Sequence, residues 1–179
     1  QQCIGPFHTP LSDYAVIAQS HFGVTGSATA IGERPLNGIY DPKALASMAL
    51  TEMLSGLMFS KITSINDIRI SGNWMWPLNA PNEKAALVEA CDELTRLCGE
   101  IGVALDGGKD SLSMVYKDNL SGESIKCPRQ LVLSGYAPME DVRDKVTPEF
   151  KFHDSAIMFI DLANGSQRMG CSSYEHSLG

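Results

Sequence analysis

The chain has 179 residues, 44% of them hydrophobic and 20% charged, and 14 Lys and Arg against 21 Asp and Glu give a net charge of −7. That is apolar material for one domain plus a piece of another, in the proportions of an ordinary globular protein. The acidic balance excludes the basic face that nucleic acid or an anionic membrane requires, and no apolar run approaches the ~18 residues of a membrane span.

The chain begins Gln1-Gln2-Cys3 and ends Ser177-Leu178-Gly179, just past the start of a new element, so both ends point to a piece of a longer protein. Five cysteines, at 3, 91, 98, 127 and 171, form no Cys-x-x-Cys. Core thiols in a reducing cytosol are the expectation, hence a cytoplasmic protein without zinc. In chain order, Ser12–Ser20 is expected to be a strand, and Gly23–Gly32 a second strand or an extended glycine loop. Asp41-Pro42 pairs an N-cap with a proline at the first helical position, which predicts a helix to about Lys61. Ile65–Ser71 is expected to be a strand, followed by the Gly72–Pro77 segment. From Glu83 to Ile101, Leu87, Cys91, Leu94, Cys98 and Ile101 recur at three- and four-residue steps, which predicts a helix ended by Gly102.

Val103–Leu105 is expected to be a short strand running into Asp106, and Leu112–Lys117 another. Asp118–Lys126 reads as a polar hairpin loop, Gln130–Ala137 as a strand and Asp141–Phe152 as irregular. Ala156–Leu162 is apolar throughout, as in a buried strand. Strands with two crossover-length helices predict a mixed α+β domain over 1–153, with 154–179 opening a second unit.

The run Asp106-Gly107-Gly108-Lys109-Asp110-Ser111 combines small residues, a fixed cation and two carboxylates. Those are groups that a nucleotide phosphate and its Mg²⁺ need. Its spacing is not that of a P-loop, and by itself Gly-Gly before a charged residue is more often a β-turn. Glu52 sits among Met48, Ala49, Met53 and Leu57, so it is expected to face inward and to need a partner, either a metal ion or a buried Arg or Lys. Gly56 lies one turn further on the same face and implies close approach by something else. Trp74 and Trp76 form one wall of a pocket or cap the core. Arg34 is placed to meet a phosphate or a carboxylate, or to lie exposed in a loop. His8, His21, His153 and His176 are scattered and expected to face solvent. No Ser or Cys has a neighbouring His for nucleophilic catalysis.

Four of these segments stand in a shared order: Pro10-Leu-Ser-Asp13-Tyr-Ala-Val, Ala30-Ile-Gly-Glu-Arg-Pro35, Ser71-Gly-Asn-Trp-Met-Trp76 and Asp106-Gly-Gly-Lys-Asp-Ser-Leu-Ser-Met114. Together they resemble the large single-chain phosphoribosylformylglycinamidine synthase family, from Gln2 to about Gly170. The resemblance implies the N-terminal half of the second synthetase repeat. Its fold is that of the aminoimidazole ribonucleotide synthetase N-terminal domain, a mixed sheet with helices on one face that builds a barrel with the first repeat. The implied partners are that first repeat and the glutaminase domain of the same chain, together with small-molecule substrates.

The family's reaction activates an amide oxygen with ATP and displaces phosphate with ammonia. Carried over by residue, Ser12 and Asp13 match nucleotide and Mg²⁺ contacts, Glu52 matches a second Mg²⁺ ligand, and Gly107, Gly108, Lys109, Asp110 and Ser111 belong to the nucleotide set, with ATP or ADP as ligand. Gly56 stands where the family has a ligand Asn. Cys171-Ser-Ser-Tyr-Glu-His departs from the family's continuation. The repeat's nucleotide site is understood as auxiliary, and the histidine of the synthetase step and the glutaminase triad lie elsewhere, so no catalytic residue is expected here and the chain alone is expected to be inactive. The other readings are another ATP-using protein of the aminoimidazole ribonucleotide synthetase type and a structural domain without nucleotide. Expressed alone, the chain is expected to self-associate through strand edges that its partner repeat would cover.

Overall fold

A computed structural model describes residues 12–178. Cys3, His8 and the Pro10-Leu11 start of the first motif lie outside the described residues. The chain divides between Pro148 and Glu149 into two compact units, against an expected boundary after His153.

The first unit is built on a five-stranded sheet. Its elements are β1 (Tyr14–Ala18), β2 (Gly26–Glu33), helices α1 (Pro35–Tyr40) and α2 (Pro42–Leu57), β3 (Arg69–Met75), α3 (Glu83–Ile101) and β4 (Ala104–Ser111). A separate hairpin, β5 (Val115–Lys117) with β6 (Ser124–Lys126), precedes β7 (Gln130–Met139). The order across the sheet is β1-β2-β7-β3-β4, antiparallel except for the β3–β4 pair, which α3 connects as a crossover.

Both long helices form where the caps predict. The Asp41 carboxylate accepts hydrogen bonds from the N–H groups of Lys43 and Ala44 at 2.8 and 3.2 Å, with Pro42 at the first helical position. Gly102, at φ 84°, closes α3 in the left-handed conformation that glycine adopts without strain. The buried stripe of α3 is Ala86, Ala90, Leu94 and Cys98, so its first half is turned by one position from the expected Leu87–Cys91 line. Cys91 is half-buried, and burial, then Asp92 and Asp110, push its thiol pKa up. The four described cysteines form no disulfide.

Side chains alternate across the sheet. Ala28, Ala30 and Gly32 of β2, Ile70 and Gly72 of β3, and Leu131, Leu133, Gly135, Ala137 and Met139 of β7 are buried on one face. Helix α2 lies on that face at very short range. A Cβ on Gly32 would stand 2.0 Å from the Ala49 carbonyl oxygen and 2.6 Å from Met53 N, and a Cβ on Gly135 would stand 2.1 Å from Met53 Sδ. Glycine is required there for contact rather than for backbone conformation.

Four expectations are corrected. The third strand begins at Arg69, not Ile65. Ile65–Asp67 is a 3₁₀ turn whose Ser64 Oγ accepts from Asn66 N, and Gly72–Met75 join the strand instead. The Asp106–Ser111 run is strand, not turn. Leu112–Met114 leave the ladder after a single bridge between Pro77 and Ser113, so the strand expected over Leu112–Lys117 shrinks to β5. Ala156–Leu162 is neither strand nor buried, with Ile157 87% and Phe159 88% exposed; a strand needs a ladder partner, and the second unit's regular element is α4 (Ser173–Ser177). His21, His153 and His176 are exposed, as expected.

One polar cluster holds the other end of the unit. Glu83, only 1% exposed, opens α3. Its carboxylate accepts from Arg129 Nε at 2.7 Å, Arg129 Nη2 at 3.3 Å and Lys126 Nζ at 2.9 Å, while Arg129 Nη1 donates to the Gly38 carbonyl of α1 at 3.2 Å. The Glu83 carbonyl accepts from Trp76 Nε1 at 3.0 Å. Trp76 is therefore a core side chain with a satisfied N–H, the capping role that was one of the two readings for the tryptophan pair. Burial raises the Glu83 pKa, but the hydrogen bonds from Arg129 and Lys126 outweigh it and hold the carboxyl below its ordinary value.

Two outcomes follow from these contacts. Gly32→Ala forces α2 off the sheet against backbone atoms that cannot rotate away, and is expected to lower the unfolding free energy by about 3 kcal/mol in urea titration. Glu83→Gln strands Arg129 in a buried site and is expected to lose about 3 kcal/mol at pH 7. A carboxyl held below its unfolded pKa stabilises above that value and loses the contribution as pH falls through its folded pKa. Urea midpoints of wild type and Glu83→Gln are therefore expected to converge as the pH falls below the ordinary carboxyl value of 4.5.

Candidate functional site

The residues carried over as ligands divide between two edges of the sheet. Ser12 and Asp13 precede edge strand β1. Glu52, Ser55 and Gly56 lie in the second half of α2, and Arg34 directly follows β2. These six line one cleft of about 460 Å³, floored by Ile31, Met58 and Phe59. The sequence thus brings Ser12, Asp13, Glu52 and Gly56 together across residues 12 to 56, and Arg34 with them.

Local contacts fix each group. Ser12 Oγ donates to the Tyr14 carbonyl at 2.8 Å, and the Tyr14 hydroxyl donates to the Val146 carbonyl, which anchors the start of β1. Asp13 is exposed. Glu52 is not the inward-facing buried acid expected; its side chain keeps 35% exposure at the rim of the cleft. Its Oε2 accepts from the Glu33 backbone N–H at 2.7 Å, and its Oε1 lies 3.2 Å from Arg34 Nη2. Of the two partners foreseen for this acid, a metal ion or a basic side chain, the fold supplies the basic one, in Arg34.

Gly56 meets backbone. A Cβ there would stand 2.9 Å from both the Asp13 carbonyl oxygen and Ala30 Cβ. The approach implied by a mid-helix glycine is therefore a helix–sheet contact, and no side chain at 56 fits without moving β1.

The donor set suits a hard divalent cation in kind. Two carboxylates and two hydroxyls face one opening, and Mg²⁺ is commonly held by one or two carboxylates with phosphate and water completing the shell. Among the described residues no group of three or more His, Cys, Asp and Glu side chains that could hold a metal ion converges, and the carboxylates lining this cleft are Asp13 and Glu52.

The Asp106–Ser111 run lies at the opposite edge, as β4. It pairs in parallel with β3, Gly107 beside Ser71, Gly108 beside Gly72 and Lys109 beside Asn73, with a register shift that leaves Asp106 as the extra residue. A Cβ on Gly108 would stand 3.0 Å from the Gly72 carbonyl oxygen, so this glycine serves close strand packing. Lys109 Nζ donates to Ser111 Oγ at 2.5 Å and to the Asp110 carbonyl at 3.2 Å. Tyr136 of β7 reaches across β3, its hydroxyl 2.6 and 2.7 Å from the two carboxylate oxygens of Asp106; that hydrogen bond raises the tyrosine pKa. Five strands in the order β1-β2-β7-β3-β4 give four inter-strand steps, about 19 Å between the two edges at ~4.8 Å each.

Two groups were not singled out from the sequence. Glu83 with Arg129 and Lys126 pairs residues more than forty positions apart, which no local pattern announces. Tyr136–Asp106 depends on the bulge that turns Asp106 to the open face of the sheet. No helix among the described residues is long and apolar enough to cross a membrane.

Comparison with known proteins agrees with this architecture. The chain is 48% identical over 177 residues to the Drosophila melanogaster protein named phosphoribosylformylglycinamidine synthase, and 42% identical over 172 residues to the Homo sapiens protein of that name. These alignments cover 97% and 95% of the chain but only 13% of each relative, so the chain spans about an eighth of their length. Among solved structures, PurLQS from Thermotoga maritima superposes with a TM-score of 0.59 at 19% identity, over 76% of this chain and 21% of that one. Thermotoga maritima PurL complexed with ATP gives the same score and identity over 78% and 22%. At that identity they establish the fold, a PurM N-terminal-like α+β domain. Residues 1–138 match the FGAR-AT PurM_N-like domain, and the chain belongs to that family.

Proposed function

We propose that this chain is the N-terminal half of the second synthetase repeat of a phosphoribosylformylglycinamidine synthase. That enzyme is a glutamine-dependent ligase that converts formylglycinamide ribonucleotide to its amidine at the expense of ATP. The observation that carries the reading is the 48% identity running along 97% of the chain to a protein of that name. Thermotoga PurL structures complexed with ATP, ADP and FGAR support a nucleotide role for the fold.

Within the enzyme, the cleft bounded by Ser12, Asp13, Glu52 and Ser55 is the auxiliary nucleotide site. Asp13 and Glu52 would hold Mg²⁺, which when bound neutralises phosphate charge and fixes the nucleotide's orientation. The Ser12 hydroxyl and Arg34 guanidinium add a hydrogen-bond donor and a cation for phosphate oxygens. The chain supplies no acid, base or nucleophile to the amidine-forming step, so alone it binds without turning over. The open sheet face and the β1 and β4 edges are the surfaces that pair with the first repeat, and the glutaminase domain delivers ammonia from elsewhere in the same cytoplasmic chain. Gly107–Ser111 belong to the barrel edge, where Lys109 meets a small-molecule substrate or a carboxylate of the facing repeat. One observation favours a structural domain with a lost site, namely that Gly56 offers no side chain toward the cleft and its Cβ position is filled.

Calorimetric titration of the full-length protein with ADP in the presence of Mg²⁺ separates the two. One equivalent binding at this cleft, weakened roughly tenfold or more by Asp13→Ala, is the expected result. Affinity and stoichiometry unchanged in Asp13→Ala and Glu52→Ala would leave the structural reading standing.

A further inference from the structure

The cleft holds two carboxylates, Asp13 and Glu52, and one cation, Arg34. That cation already occupies Glu52. The guanidinium Nη2 is 3.2 Å from Oε1, while Oε2 is tied to the Glu33 N–H at 2.7 Å, so both carboxylate oxygens are engaged. Arg34 reaches Glu52 from the strand side, one residue beyond β2, and Glu52 approaches from α2. Neither can leave the cleft without unpacking the helix from the sheet, but the side chains can part. Arg34 is 47% and Glu52 35% exposed, and a hydrated pair of that kind is weak and exchangeable. Another anion can draw the guanidinium off Glu52, because phosphate takes guanidinium in a bidentate grip. Gly56 closes the alternative route: with the Asp13 carbonyl and Ala30 Cβ 2.9 Å from where its Cβ would be, the helix cannot contribute a third ligand that would outcompete Arg34.

We infer that Arg34 is the resident occupant of the cation position, its guanidinium competing with a divalent cation for Glu52. Resting on the nucleotide-site reading above, this makes cation binding conditional. The cleft takes a divalent cation well only when a ligand phosphate draws the guanidinium off the carboxylate. The device is local and electrostatic, and it couples metal to nucleotide without a conformational change of the fold.

The test is Mn²⁺ binding to the full-length protein without nucleotide, followed by electron paramagnetic resonance of free Mn²⁺. The equivalent that Asp13→Asn removes identifies this cleft. Arg34→Gln is expected to tighten that equivalent roughly tenfold, since it deletes a unit positive charge beside a divalent ion. Arg34→Lys, which keeps the charge, is expected to stay near wild type, and Glu52→Gln added to Arg34→Gln is expected to abolish the gain. With ADP present, the difference between wild type and Arg34→Gln is expected to shrink. Unchanged or weaker Mn²⁺ affinity in Arg34→Gln, at an unaltered melting temperature, overturns the inference while leaving the cleft a metal site. If Asp13→Asn removes no Mn²⁺ from any variant, with or without ADP, the metal–nucleotide reading falls and this inference with it.

Discussion

The first unit depends on how closely α2 lies on the sheet. At Gly32, Gly135 and Gly56 there is no room for a Cβ, and at Gly32 and Gly56 the obstructing atoms include backbone. Side chains normally act as the spacer between a helix and a sheet; here three glycines, one on α2 and two on the strands beneath it, remove it. Their absence lets Met53 fill the gap between β2 and β7, and it lowers the second half of α2 until Glu52 can accept from the last N–H of β2. The cleft is thus a by-product of packing. Its carboxylate stands at the strand terminus because α2 lies against strand backbone at Gly32, one residue before Glu33.

The same constraint explains why the cleft is polar but poor in ligands. A helix that close to the strands leaves only its rim positions, 52 and 55, able to face solvent over β1. Position 56 is used for contact with the Asp13 carbonyl and the Ala30 Cβ, so the contact that places the start of β1 against α2 leaves no room there for a side chain facing the cleft.

The two long helices were legible because their signals are local: Asp41-Pro42 at one start, Gly102 at one end, and a 3.6-residue apolar repeat between. The Asp106–Ser111 run was misread for the opposite reason. Gly-Gly favours a turn by its own propensity, but β3 offers a complete parallel ladder and α3 delivers the chain to it, so tertiary pairing overrides the local preference. Ala156–Leu162 shows that hydrophobicity is not sufficient for a strand, since its hydrogen bonds need a neighbour that the second unit does not supply. Glu83 and its two cations were invisible because an ion pair between positions 83 and 129 leaves no periodic trace. Glu52 was half legible: its need for a cation could be read from its neighbours, but the presence of Arg34 beside it depends on where β2 ends, which no local pattern gives.

Sheet order also limits what the glycine-rich run can do. Lys109 lies on edge strand β4 and Asp13 just before the opposite edge strand β1, with about 19 Å between those edges across four inter-strand steps, and a lysine side chain extends only about 6 Å. Within this domain Lys109 therefore cannot share a phosphate with Asp13, and its neighbours bear this out: it is held by Ser111 and the Asp110 carbonyl on its own strand. The Tyr136–Asp106 hydrogen bond spans β3 and ties that edge to the middle of the sheet, and β4, as the last strand, has no strand partner on its outer side within this sheet. The two halves of the carried-over nucleotide set thus lie at opposite edges of the sheet, too far apart to act as one site within this domain.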